Sequence, residues 1–209
     1  MTNPPVKKPK LGRPADADSA ATRERIVTCA QEYFAANGFD ATTNRQIAEA
    51  AGITTAGLYH YFPSKGEIYV AVCEHISDTI VSTFEKVSEH DPTLIGRVRS
   101  LVEEGSVLSR ENMSALVFMS GMSTEVRSHP EIRAGIRKIQ SGFRDLVSRI
   151  ITTADDTTGL LDGISAKDFA EFVGAVMASL SRLNASGQVE RRRAVGRTLI
   201  HLLSAPPPK

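Results

Sequence analysis

A chain of 209 residues, 41% hydrophobic and 23% charged, can bury the core of one or two globular domains. No stretch reaches the roughly 20 apolar residues of a membrane span, and the basic start "MTNPPVKKPKLGRPADAD" lacks the apolar run of a secretory signal. Cys29 and Cys73 fall outside any Cys-x-x-Cys spacing, and two cysteines in this length point to a reducing cytoplasm.

The net charge of +1 is unevenly distributed. Residues 1–14 carry Lys7, Lys8, Lys10 and Arg13 and no acid, leaving 21 basic against 24 acidic side chains elsewhere. A basic arm on a mildly acidic body suits either a local polyanion contact or a solvated, unfolded extension.

Apolar residues recur at three- and four-residue spacing rather than in alternation, so the chain reads as all-α. About nine helices are predicted: 19–37, 44–51, 55–61, 65–88, 92–109, 113–126, 130–154, 166–185 and 188–204. The first buries Ile26, Ala30 and Phe34, with Val27 and Tyr33 beside them. Gly38 supplies a left-handed stop, and Phe39 folds back on it. "TNRQ" from Thr43 and "SKGE" from Ser64 match the capping box, in which a hydroxyl and an amide or carboxyl satisfy two free backbone amides. Asp91-Pro92 and His129-Pro130 place proline where a first helical turn tolerates it.

Residues 44–62, "NRQIAEAAGITTAGLYHYF", hold two helices too short to stand alone. Ala48 is small where they must cross, Gly52 permits the positive φ of a tight turn, and Ile47, Ala51, Ile53 and Leu58 share a core. That pattern belongs to a helix-turn-helix, whose second helix enters a DNA major groove. Tyr59 and Tyr61 combine apolar bodies with hydroxyls able to reach phosphate, and Lys65 opens the next helix, where charge and free amides both favour phosphate. Phe62 is read as core.

Residues 22–72 resemble the DNA-binding domain of the TetR family of transcriptional regulators, through the stripe of helix 1, "GFDATT", "IAEAAGI", "GLYHYF" and "SKGEI". The resemblance implies a flexible arm over 1–18, a helix-turn-helix domain over 19–65, a ligand-binding and dimerisation domain over 66–204 and a short tail over 205–209. It implies DNA contacts from Thr43 and Arg45, from Thr55, Ala56 and Gly57 at the opening of the recognition helix, from Tyr59, His60 and Tyr61, and from Lys65 as a phosphate clamp. "TTAG" departs from the family by offering no Gln, Asn or Lys for a bidentate base contact. Arg45 is then the most capable guanine reader, with DNA shape supplying much of the specificity. "KKPKLGRP" resembles Gly-Arg-Pro cores that lie in A·T-rich minor grooves, with Arg13 inserted.

In the second half, Phe169, Phe172, Val173, Val176, Met177, Leu180 and Leu183 form an apolar stripe, beside a row of small residues, Ala170, Gly174, Ala178 and Ser181. With Leu199 and Leu203 of the last helix, the small row resembles the family's dimer interface, a four-helix bundle of two helices per subunit. The alternative is a purely internal helix pair. Phe84, Met113, Phe118, Met119, Met122, Phe143 and Met177 suit either ordinary core or, as the resemblance implies, an adaptable ligand pocket.

Motifs for nucleotide binding or nucleophilic catalysis are absent from the sequence, and the five histidines lack metal-cluster spacing. The expectation is a homodimeric repressor without catalytic residues, metal or cofactor, released from a palindromic DNA operator by a small, largely apolar effector. The alternatives are an architectural DNA-binding protein or an enzyme on a helical scaffold.

Overall fold

The computed structural model describes residues 15–86, 91–155 and 163–204. Arg13, the basic arm and the tail lie outside them. Nine α-helices follow in chain order among the described residues: α1 (Ala15–Ala41), α2 (Asn44–Ala50), α3 (Thr55–Tyr61), α4 (Lys65–Glu85), α5 (Leu94–Glu111), α6 (Met113–Ser128), α7 (Arg133–Thr152), α8 (Ala166–Ala185) and α9 (Val189–Ser204). Pro130–Ile132 forms a 3-10 turn, η1, because His129-Pro130 begins a tight turn before the α-helix.

Helix α1 is interrupted at Gly38, whose φ of 77° and ψ of 178° lie in a region essentially confined to glycine. The positive φ matches the expected stop, but the backbone runs extended there rather than left-handed helical. The chain then re-enters a short turn to Ala41. Phe39 stacks on Phe34 at 5.8 Å, and buried Thr42 donates its hydroxyl to the carbonyls of Tyr33 (3.1 Å) and Gly38 (2.7 Å). This pair of bonds closes the end of α1 and sets the entry angle of α2.

Two apolar cores stack along the molecule. The first joins Ile26, Phe34, Ile47, Leu58, Phe62, Ile68 and Tyr69 of α1–α4 to Phe118 and Met122 of α6 and to Ile132 and Ile136. The second joins Phe84 to Leu94, Leu101, Leu146, Ile150, Phe169, Val173, Leu180 and Leu199. Ile80 packs against both, and α7 lends Ile136 to the first and Leu146 to the second, so α4 and α7 span the two. A Cβ built on Gly135 would lie 2.7 Å from Val70 Cγ1, so α7 crosses α4 at a distance only glycine permits.

Polar pins join the head (α1–α3) to the body. Buried Gln31 donates from Nε2 to Asn112 Oδ1 (3.0 Å) and Ser114 Oγ (2.7 Å), and the same Asn112 oxygen caps α6 by accepting from Ala115 N. Within the body, buried Arg97 donates to the carbonyls of Asp91 and Ile150 and to Thr153 Oγ1, fastening the start of α5 to the end of α7.

Candidate nucleic-acid interface

The helix-turn-helix is built from local caps. Thr43 Oγ1 accepts from Gln46 N (3.3 Å) while Gln46 Oε1 accepts from Thr43 N (2.9 Å), completing the capping box at the start of α2. Gly52 takes φ 68° with open space where a Cβ would stand, so glycine serves the backbone angle there rather than packing. Thr54 then caps α3, accepting from Gly57 N at 3.0 Å. Sequence reasoning missed this cap, although a threonine just before a helical start is its ordinary signal. A second missed support is Arg25, which donates from Nε to Ala51 O at 2.8 Å and ties α1 to the end of α2.

Leu58 is fully buried and anchors α3, leaving Thr55, Ala56, Tyr59 and His60 exposed. Gly57 and Tyr61 are half-buried, and Tyr61 packs against the first core, so its apolar body serves the head as well as its surface. Arg45 and Thr43 are exposed on α2. Tyr59 is 52% exposed, and its hydroxyl accepts from Asn44 Nδ2 at 3.1 Å. The structure therefore groups all the sequence-predicted α2 and α3 positions on one small head and adds Asn44 as the residue that aims Tyr59.

Lys65 is placed differently from the expectation of a free phosphate clamp. Its Nζ donates to the carbonyls of Phe39 (2.7 Å), Thr42 (3.0 Å) and Asp40 (3.3 Å) and sits 4.4 Å from the centre of the Phe39 ring. The ammonium points into the α1–α2 junction, where these three carbonyls converge on it. On the other flank, Arg23 lies over the Phe62 ring at 4.9 Å.

The seven residues read as pocket candidates are not brought together. Phe118, Met119 and Met122 belong to the first core, Phe84, Phe143 and Met177 to the second, and Met113 is exposed. Met177 Cε and Phe84 Cζ crowd Gly105 at 2.9 and 3.9 Å from where a Cβ would stand, so both act there as packing. Phe118 alone of the seven also lines a small cavity of about 220 Å³ between α1 and α6, with Phe34, Tyr69 and Glu125. Burial pushes the Tyr69 hydroxyl well above its ordinary range, with Cys73 and Glu125 adding to it. Burial likewise raises the Cys73 and Cys29 thiols above their ordinary range, with Glu74 adding at Cys73 and Glu32 at Cys29.

On α8, Phe169, Ala170, Val173, Met177 and Leu180 face the body's own core. Phe172, expected in that stripe, is half exposed instead, and Ala178 is exposed beside half-buried Gly174 and Ser181. On α9, Leu199 is buried and Leu203 packs partly against the core, while Val195 and Leu202 project outward. Ala170, Leu199 and Leu203 thus contribute to the subunit's interior. Phe172 and Ala178 of α8 and Val195 and Leu202 of α9 are left exposed.

Residues 26–72 match the model of the bacterial regulatory proteins of the tetR family. These residues carry a TetR-family DNA-binding domain. The chain is 23% identical over 164 residues to the nucleoid occlusion factor SlmA of Vibrio cholerae, covering 77% of this chain and 82% of that protein. Over 59 residues it is 41% identical to the transcriptional regulator RutR of Escherichia coli K12, covering 28% of each chain. The fold is also that of FadR from Bacillus subtilis, solved in complex with stearoyl-CoA, with TM-score 0.71, 18% identity and coverage of 87% and 97%. Salmonella enterica GusR aligns with TM-score 0.73 and 22% identity over 94% and 97%. The TetR match coincides with the head and ends inside α4, whereas the body is shared as fold. No helix among the described residues is long and apolar enough to cross a membrane, and none of their His, Cys, Asp or Glu groups is arranged to hold a metal ion.

Proposed function

We propose that the chain is a TetR-family regulator, a homodimeric repressor in the cytoplasm that binds a palindromic operator through α3 and leaves it when a small molecule occupies the body. The observation that carries the reading is the display of α3. Thr55, Ala56, Tyr59 and His60 face outward on a helix capped by Thr54 and fixed through Leu58, while the head is pinned to the body by Gln31. Arg45 supplies the base contact with most discriminating power, and Thr55 and Ala56 contact thymine methyls. The arm carrying Arg13 adds a minor-groove contact.

Dimerisation through α8 and α9 is supported by the outward apolar residues Phe172, Val195 and Leu202, which a single subunit leaves in water. Two heads so joined read half-sites about 34–36 Å apart or a multiple of that. The effector reading is supported by the shared fold with FadR, which was solved with stearoyl-CoA. An effector that binds one arrangement of the body more tightly shifts the head populations by that difference in affinity.

The test is fluorescence anisotropy of the full chain on the DNA upstream of its own gene. Saturable binding, far tighter than to shuffled DNA and weakened by Arg45→Ala, is expected; equal affinity for shuffled DNA sinks the reading in favour of an architectural binder. Stearoyl-CoA is the first effector probe, scored by release of the bound DNA.

A further inference from the structure

The cavity of about 220 Å³ between α1 and α6 lies where the head meets the body. Phe34 of α1, Tyr69 of α4 and Phe118 of α6 line it and are themselves buried. Their ring centres lie 5.1 Å (Phe34–Tyr69), 4.6 Å (Tyr69–Phe118) and 6.3 Å (Phe34–Phe118) apart, all at tilted or edge-on angles. Three helices thus contribute to one aromatic wall. Gly121 stands on the exposed side of the cavity, and a Cβ there would meet nothing within 4 Å.

The charge of the lining is one-sided. Glu125 is its only acidic residue, and none of the lining residues is basic. Tyr69 is held protonated by its burial, so it brings a hydroxyl and no charge. Glu125 Oε1 accepts from Phe39 N at 3.2 Å, while Oε2 lies 3.4 Å from His129 Nε2 with no hydrogen bond between them. A carboxylate has about four acceptor positions, so the Phe39 amide leaves this one able to accept from a ligand. An ammonium is the matching donor, because a charge-assisted bond is roughly twice as strong as a neutral one and aromatic faces attract cations. An anion meets only like charge.

We propose that this cavity binds a small primary amine with an aromatic or branched apolar group, its ammonium on Glu125 and its apolar part against Phe34, Tyr69 and Phe118. Size fits that class: an apolar cavity of about 150 Å³ accepts benzene, so the larger volume here holds such a ring with a short aminoalkyl chain. The site differs in place and in charge preference from the effector site of the body. Its walls include α1, so an occupant touches head and body together.

The test is isothermal titration of the full chain with phenethylammonium chloride, against neutral 2-phenylethanol and anionic phenylacetate. The amine is expected to bind saturably and about tenfold more tightly than the alcohol, with no binding of the acid. Glu125→Gln keeps a carbonyl for the Phe39 amide and removes the charge, so it is expected to bring the amine down to the affinity of the alcohol. Absence of saturable amine binding at millimolar concentrations, equal affinity for amine and alcohol, or unchanged amine affinity in Glu125→Gln each overturns the proposal. Should Glu125→Gln fail to fold, Gly121→Leu takes its place, since its Cβ enters open space and leucine favours a helix over glycine. The leucine is expected to obstruct the cavity and weaken amine binding about tenfold, and wild-type affinity there overturns the proposal equally. The titration contains no DNA, so its failure leaves the regulator reading standing.

Discussion

The Asn44 side-chain amide donates to the Tyr59 hydroxyl at 3.1 Å, so the first residue of α2 sets the direction of the exposed tyrosine on α3. The two short helices are thereby linked by a polar contact at the surface proposed to face DNA. Asn44→Ala and Tyr59→Phe are each expected to weaken operator binding by about 0.5–1.5 kcal/mol, the net worth of one hydrogen bond. The double variant should lose little more than either alone, because both remove the same contact. Additive losses in anisotropy titrations would show that the two side chains act on DNA independently.

Lys65→Met separates structure from binding. Its ammonium serves three carbonyls at the α1–α2 junction, so the substitution is expected to destabilise the head by about 1–3 kcal/mol. Denaturant melts read that loss directly. An unchanged melt, with the salt dependence of DNA binding flatter by about one unit of slope, would instead return Lys65 to the phosphate backbone.

Gly135→Ala should cost about 1–3 kcal/mol, because the added methyl meets both Val70 methyl groups at 2.7 and 2.9 Å. Val70→Ala in the same chain should restore most of the loss. No recovery in the double variant would place the strain elsewhere in the α4–α7 crossing.

Gly174→Leu tests the assembly. Nothing within one subunit lies within 4 Å of a Cβ at this position, so the isolated fold tolerates the larger side chain. If α8 meets its copy there, a two-fold axis applies the overpacking twice, about 1–3 kcal/mol at each site. Sedimentation should then report folded monomers that bind a full operator weakly. A variant that stays dimeric with native affinity moves the interface away from this face.

Much of this architecture was legible because it is local. The 3.6-residue pattern placed α8 at residues 166–185, as observed, and "TNRQ" marked a capping box that forms. What local pattern could not convey was which partner wins a side chain. Lys65 reads as a solvent-facing cation until the chain turn brings the carbonyls of residues 39, 40 and 42 to its tip. Phe172 sits in register with Phe169 and Val173, yet the stripe is wider than the surface α8 can bury within one subunit. Met113, Met119 and Met177 look alike as letters, and only the packing of the helices separates an exposed one from two in different cores.

The close crossing of Gly135 on Val70 also gives the molecule a gear ratio. Along a helix rising about 1.5 Å per residue, Lys65 lies roughly 8 Å from that crossing and Phe84 roughly 21 Å on the other side. A rigid α4 pivoting there converts a wide swing at Phe84 into a movement near Lys65 of roughly a third the size, and in the opposite direction. Because Lys65 grips the carbonyls that end α1 and lead into α2, that reduced stroke is delivered at the root of the reading head. For a pivot at that crossing, a long travel at Phe84 becomes a short one at Lys65, so small fluctuations among the second-core side chains would arrive at the head reduced.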